Sequence, residues 1–224
     1  MTVLLQIDAS VRKERSISRG MGKAFMEHWL SLNPADKVIC RDVGSTPPPF
    51  ISEGWTSAAF TPEDKRTDEQ NSLLSLSDQL IEEISAADII IISSPMYNYG
   101  MPASLKAWLD QIVRVNKTFT FDLNRGDFPL APVMHGKSLV LLTSCGEFGF
   151  SKSGIREEMN HLGPHLKTVS KYLGADECFE AGVEYQEFGD IRHQESLQEA
   201  HRKIPVIVKT LSERLKDKKR SEND

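Results

Sequence analysis

Cysteine is scarce in this chain. Its 224 residues hold three, Cys40, Cys145 and Cys178, far apart and without a CxxC pair. That argues against a disulfide framework or a structural zinc site. No apolar run is long enough to span a bilayer. The opening stretch, MTVLLQIDASVRKER, carries only a few apolar residues, followed by basic ones, and so lacks the form of a signal peptide. The expectation is a cytoplasmic protein with no membrane partner. Positive charge is not in excess: 27 Lys and Arg stand against 32 Asp and Glu, a formal net charge of −5. No nucleic-acid partner is expected from that balance. Two phosphate fingerprints are also missing. There is no GxxxxGK[ST], which argues against a nucleoside-triphosphate P-loop. No GxGxxG follows the first apolar strand, which disfavours a Rossmann NAD site.

What is present is an alternation. TVLLQID (2–8), KVICRDV (37–43), DIIIISS (88–94), KSLVLLTS (137–144) and CFEAGVEY (178–185) read as strands. The third is so aliphatic on both faces that it belongs in the middle of a parallel sheet. Helical spacing begins at Ser18, a candidate N-cap, and continues through Met21, Phe25, Met26 and Trp29 to Pro34. Further helices are expected over about 68–87, 102–115, 155–173 and 190–215, with Gly163 and Pro164 kinking or splitting the fourth. GSTPPPFISEGWTSAAFTPED is expected to be an irregular excursion. NKTFTFDLNRGDFPLAPVMH is a second one, too apolar for a free loop. Five strands alternating with five helices predict an α/β fold: a doubly wound, flavodoxin-like, five-stranded parallel sheet of order 2-1-3-4-5. Residues 1–216 are expected to form one domain, and 217–224 a charged, disordered tail.

In such a sheet a ligand sits where the winding reverses, over the loops after strands one and three. The first loop, ASVRKERSIS, leads into a helix N-terminus with Ser10, Ser16, Ser18, Arg12 and Arg15. Free N–H groups, hydroxyls and guanidinium groups there suit a single phosphate monoester; the alternative is a solvated loop with an ordinary N-cap. In the second loop, SPMYNYGMP, Pro95 ends the ladder and Gly100 allows a sharp turn. The N–H groups of residues 97–99 and the rings of Tyr97 and Tyr99 offer donors beside aromatic walls. That combination suits a flat heterocycle with a polar edge. The loop after strand four, TSCGEFGF, adds Ser144 and two glycines. Cys145 in it is expected to be inert. His161 and His165, four apart, are expected to be structural, with no metal.

These segments resemble one family. PMYNYGMPASLKAWLDQIVRVNKTF looks like the signature of FMN-dependent NADH:quinone oxidoreductases of the azoreductase type. DASVRKERSIS matches that family's first loop, and TSCGEF its Thr-Ser-x-Gly-Gly loop. The resemblance implies an enzyme in which Ser10, Ser16, Ile17 and Ser18 hold the FMN phosphate. Pro95, Met96, Tyr97, Asn98 and Tyr99 would border the ring, with Ser144, Cys145, Gly146 and Glu147 on the opposite rim. It implies NADH or NADPH as reductant, a quinone or azo compound as acceptor, ping-pong transfer of two electrons, no dedicated catalytic side chain, and a homodimer. Cys145 and Glu147 depart from the family pattern, which commonly has arginine and glycine there. A carboxylate beside the reduced ring is repulsive, so either Glu147 points away or the potential or substrate differs. Two alternatives remain at this point: a flavodoxin-type electron carrier, which typically shows a Thr-x-Thr-Gly-x-Thr loop that is absent here, and a non-catalytic binding module of the same fold.

Overall fold

The structure, a computed structural model, describes residues 1–221, with side chains through Lys218. Strands β1 (Val3–Asp8) and β2 (Lys37–Asp42) are joined by helix α1 (Ile17–Leu32). Helices α2 (Glu53–Phe60) and α3 (Asp68–Ala86) lead to β3 (Ile89–Pro95) and α4 (Ala103–Ile112). A short antiparallel pair, β4 (Phe119–Phe121) with β5 (Leu130–Pro132), precedes β6 (Lys137–Ser144). Helix α5 (Gly163–Ser170), β7 (Ala175–Val183) and α6 (Ile191–Ser221) complete the chain.

The sheet runs β2-β1-β3-β6-β7, all parallel, which is the expected 2-1-3-4-5 order. β3 is central and every one of its residues is buried. Four consecutive isoleucines serve both faces of the sheet at once. Ile90 and Ile92 face a core built with Leu80 and Ile84 of α3, Leu105 and Trp108 of α4, and Leu166 of α5. Ile89 and Ile91 face Met21, Phe25 and Trp29 of α1, and Ile204, Val208 and Leu211 of α6. Strand alternation therefore decides which helices lie on which side.

Several expectations need correction. The first excursion is not irregular throughout: Ser52 caps α2 by accepting from Trp55 N at 3.1 Å, and Trp55, Ala58 and Ala59 form a small core with Leu74. The Trp55 indole donates to Gln111 Oε1 at 2.9 Å, which ties this excursion to α4. The second excursion holds the β4–β5 pair, with Phe119 packed on Tyr172 at 5.7 Å. The helix expected over 155–173 is an α-helix only over Gly163–Ser170. Pro164 stands in its first turn, where a missing N–H costs nothing, so the Gly-Pro pair opens this helix instead of splitting it. His161 thus precedes the helix that carries His165. Ser16, not Ser18, is the N-cap of α1. Finally, α6 continues through Ser221, five residues into the segment expected as a disordered tail; residues 222–224 lie outside the described residues. Lysines near a helix C-terminus favour such an extension.

Candidate functional site

Three loops meet at the carboxyl ends of β1, β3 and β6. They form a cleft of about 190 Å³ lined by Ser10, Arg12, Arg15, Ser16, Ile17, Pro95, Met96, Tyr97, Ser144, Cys145, Gly146, Gln186 and Glu187. Nine of the thirteen residues that the resemblance assigns to FMN are in that lining, together with Arg12 and Arg15 of the first loop. The other four residues assigned by the resemblance are not: Ser18 is buried, Glu147 is half-buried, and Asn98 and Tyr99 are exposed. Ser18 is buried with its hydroxyl 3.3 Å from that of Ser16.

The first loop is held by Arg19. Its Nε and Nη2 donate to the Ser10 carbonyl at 3.2 and 2.7 Å, and Nη1 and Nη2 donate to Asp42 at 2.8 and 2.6 Å. Burial pushes the Asp42 carboxyl up, but the bonds from Arg19 and from Ser45 outweigh it and hold the group at about 2. Asp8 lies 3.7 Å from the same guanidinium. There burial wins over the Gln6 and Arg19 contacts, and its pKa is raised. Gly44 is needed for this closeness: a Cβ there would stand 2.2 Å from the Ser10 carbonyl oxygen. The result is a preset α1 N-terminus. The N–H groups of Ile17 and Ser18, in its first turn, have no acceptor within the helix.

The second loop turns back on itself. Tyr97 N donates to Gly100 O at 2.9 Å and Gly100 N to Tyr97 O at 3.0 Å, which closes a two-residue turn. Asn98 and Tyr99 occupy its corners with φ of 48° and 65°. Gly100, the residue expected to supply the sharp bend, is not among the positive-φ positions. Two consecutive left-handed corners define the type I′ turn, in which glycine is normally favoured at the second corner. A tyrosine there is strained by about 1–3 kcal/mol, a cost typically found at ligand sites. The Tyr97 N–H is spent on the turn. Those of Asn98 and Tyr99 have no protein acceptor among the described residues.

The third loop is fixed by main-chain bonds to the segment after β7. Tyr185 N, Gln186 N and Glu187 N donate to the carbonyls of Glu147, Cys145 and Gly146 at 2.9, 3.2 and 3.0 Å. Gln186 and Glu187 thereby reach the cleft. Sequence reasoning missed them because it followed loops one, three and four, and the segment after the last strand carries no motif. Cys145 is buried, and its thiol is pushed up to about 12 by burial and by the charges of Glu184 and Glu147. The Glu147 carboxylate is turned to Arg156 at 3.1 Å. Among the described residues no group of His, Cys, Asp and Glu is arranged to hold a metal ion.

Residues 2–206 match the family model described as a flavodoxin-like fold. An FMN-dependent NADH:quinone oxidoreductase 2 of Colwellia psychrerythraea is 58% identical over 94% of this chain and all of that protein. The chain belongs to this family. A homologous oxidoreductase of Idiomarina loihiensis is 56% identical over 95% of this chain and 91% of its own length. In fold, an azoreductase from Bacillus anthracis superposes with a TM-score of 0.82 at 19% identity, covering 93% of this chain and 99% of its own. A second structure from that species is an FMN-dependent NADH-azoreductase in complex with FMN; it superposes at 0.81 with 18% identity, over 94% of this chain and 99% of that one.

Proposed function

We propose that this family member is an FMN-dependent NADH:quinone oxidoreductase that also accepts azo compounds. The observation that carries the reading is the two-ended cleft. One end offers the α1 N-terminus with the hydroxyls of Ser10 and Ser16 and the cations Arg12 and Arg15. The other offers Met96, Tyr97, Ser144 and Gly146, flanked by the open N–H groups of Asn98 and Tyr99. The first end fits a dianionic phosphate ester. The second fits the polar edge of a flat ring. The chain's own donors without protein partners thus match FMN at both ends, and Ser18 supports the phosphate through Ser16.

FMN bound there would supply two-electron redox chemistry between a nicotinamide and a quinone or azo acceptor. The protein's part is to bind and orient. Backbone N–H groups, which cannot titrate, present fixed dipoles at the ring edge. Arg19 and Asp42 keep the phosphate loop in place. Cys145, held as a neutral thiol, adds no charge to the rim.

The second excursion leaves apolar side chains uncovered, and we assign the surface that covers them to a second copy of this chain in a homodimer. The exposed Phe121, Leu123 and Phe128 of the second excursion are its apolar candidates. A reaction drawing on the NADH pool belongs in the cytoplasm.

Titrating the purified protein with FMN while following flavin fluorescence, then mixing it with NADH and with NADPH in a stopped flow, tests the reading. Tight stoichiometric binding, bleaching of the flavin band by the nicotinamide and its recovery on adding a benzoquinone or an azo dye are expected. A protein that ignores FMN, or whose flavin no nicotinamide reduces, refutes it.

A further inference from the structure

The segment after β7 enters the cleft through a strained backbone. Tyr185 opens it with φ of 65°, in the left-handed region, and Gly189 closes it at 61°. For a tyrosine that conformation costs about 1–3 kcal/mol and persists only where the surroundings enforce it. Here they do. Tyr185 N donates to Glu147 O at 2.9 Å, and Phe188 N to Tyr185 O at 3.1 Å. The Tyr185 ring stacks on Phe148 with centroids 4.5 Å apart, and Phe188 stands edge-on to both at 5.8 and 5.9 Å. The Arg192 guanidinium, bonded to Asp190 at 2.6 Å, lies 4.7 Å from the Phe188 ring centroid. This aromatic clamp fixes the two residues between its rings, Gln186 and Glu187, against the third loop. The Glu187 side chain then passes directly over Gly146: a Cβ at position 146 would stand 2.5 Å from Glu187 Cγ and 3.4 Å from its Oε1. Gly146 leaves the room that this side chain fills. Among the described residues the Glu187 carboxylate has no hydrogen-bond or ion-pair partner, although it lines the same cleft as Arg12 and Arg15.

The two ends of the cleft present donors: N–H groups, serine hydroxyls and guanidinium groups, suited to the oxygens of a phosphate and to the edge of a ring. FMN joins its phosphate to its ring through a chain of hydroxyl-bearing carbons, and those hydroxyls are donors themselves, which need acceptors. Carbonyls along the wall are already occupied. Ser10 O accepts from Arg19, Pro95 O from Ser94 Oγ, Ser144 O from Met96 N, and the carbonyls of Cys145 and Gly146 from the N–H groups of Gln186 and Glu187. The Glu187 carboxylate is an acceptor left free. We infer that Glu187 is a further FMN-binding residue: its carboxylate, held over Gly146, accepts from the hydroxyls of the ribityl chain. An ionised acceptor makes such bonds charge-assisted, and so stronger than neutral ones. This inference rests on the FMN reading above, and its variants are compared with a wild-type protein whose FMN affinity has been measured first.

The test pairs a change in the protein with a change in the ligand. FMN, and a flavin phosphate whose connecting chain bears no hydroxyls, are titrated by flavin fluorescence into wild type, Glu187→Gln and Glu187→Ala. Glu187 is exposed, so neither substitution disturbs the core. Wild type is expected to bind FMN about tenfold more tightly than the hydroxyl-free analogue. Glu187→Ala weakens FMN about tenfold and leaves the analogue within about twofold of its wild-type value, because protein and ligand changes remove the same bonds. Glu187→Gln, which keeps an uncharged acceptor, falls between for FMN. The direction of the change separates this role from mere proximity. A carboxylate that only stood near the dianionic phosphate would repel it, and its removal would tighten FMN. FMN binding by Glu187→Ala as tight as in wild type, or tighter, overturns the inference. So does an equal loss for FMN and the analogue, or a wild type that does not distinguish them. Failure of the wild type to bind FMN at all is a different result and strikes the proposed function instead.

Discussion

Arg19 grips Asp42 through two guanidinium nitrogens, at 2.6 and 2.8 Å, while its Nε and one of the same nitrogens hold the carbonyl of Ser10. One side chain thus joins the end of β2, the loop after β1 and the first turn of α1. Replacing it by methionine removes charge-assisted bonds of about 1.5–3 kcal/mol in net stability. Urea unfolding is expected to show that loss, and fluorescence titration an FMN affinity lower by about tenfold, or about 1.4 kcal/mol. Arg19→Lys, which lacks the planar fork, should fall between.

The same pair sets an acid limit. Asp42 is held at about 2, below the ordinary carboxylate value of 3.8. Its contribution is complete above the ordinary value and is lost as pH falls from there toward 2. Asp8 has the opposite sign: its raised pKa means that protonation on acidification favours the folded state. Chemical unfolding at a series of pH values should therefore show an acid limb that Asp42→Asn flattens and Asp8→Asn steepens.

Two glycines in α1, two residues apart, should respond oppositely to alanine. A Cβ on Gly20 meets nothing within 4 Å, so Gly20→Ala gains about 0.5–1 kcal/mol from helix propensity. On Gly22 it would lie 2.4 Å from Ser93 Oγ and 3.0 Å from Gln6 Nε2, where α1 crosses β3. Gly22→Ala is expected to cost about 1–3 kcal/mol by overpacking. Thermal unfolding of the two variants in parallel checks the signs.

Cys145 should resist alkylation. Its thiol is pushed up to about 12 by burial and by Glu184 and Glu147, so almost no thiolate exists at pH 8. Iodoacetamide with mass mapping is expected to leave it unmodified in the folded protein and to label it in urea. Fast native labelling would contradict the environment described for the cleft rim.

Much of this protein was legible in its order of residues. The four isoleucines of β3 pointed to a central strand, and the alternation of strands and helices left few topologies, of which five strands favoured the order found. The Ser-rich and Tyr-rich loops could be assigned to one crevice because winding reversal brings the ends of β1 and β3 together. Short, weakly periodic pieces were not legible. Helix α2, with eight residues between prolines, and the three-residue strands β4 and β5 exist because Trp55 and Phe119 find packing partners far along the chain.

The site divides in the same way. Which residue types line the cleft is a local property, and Ser10, Ser16, Met96, Tyr97 and Ser144 carried it in their motifs. What those groups can do depends on partners distant in sequence. Only the folded chain decides that Ser16 is the cap, that Asn98 and Tyr99 rather than Gly100 take the left-handed corners, that Gln186 and Glu187 enter the cleft, and that Glu147 turns to Arg156. Hydrophobic period acts between neighbours and is written along the chain, whereas the direction of a charged side chain is set by whichever counter-charge the packing brings within about 3–4 Å.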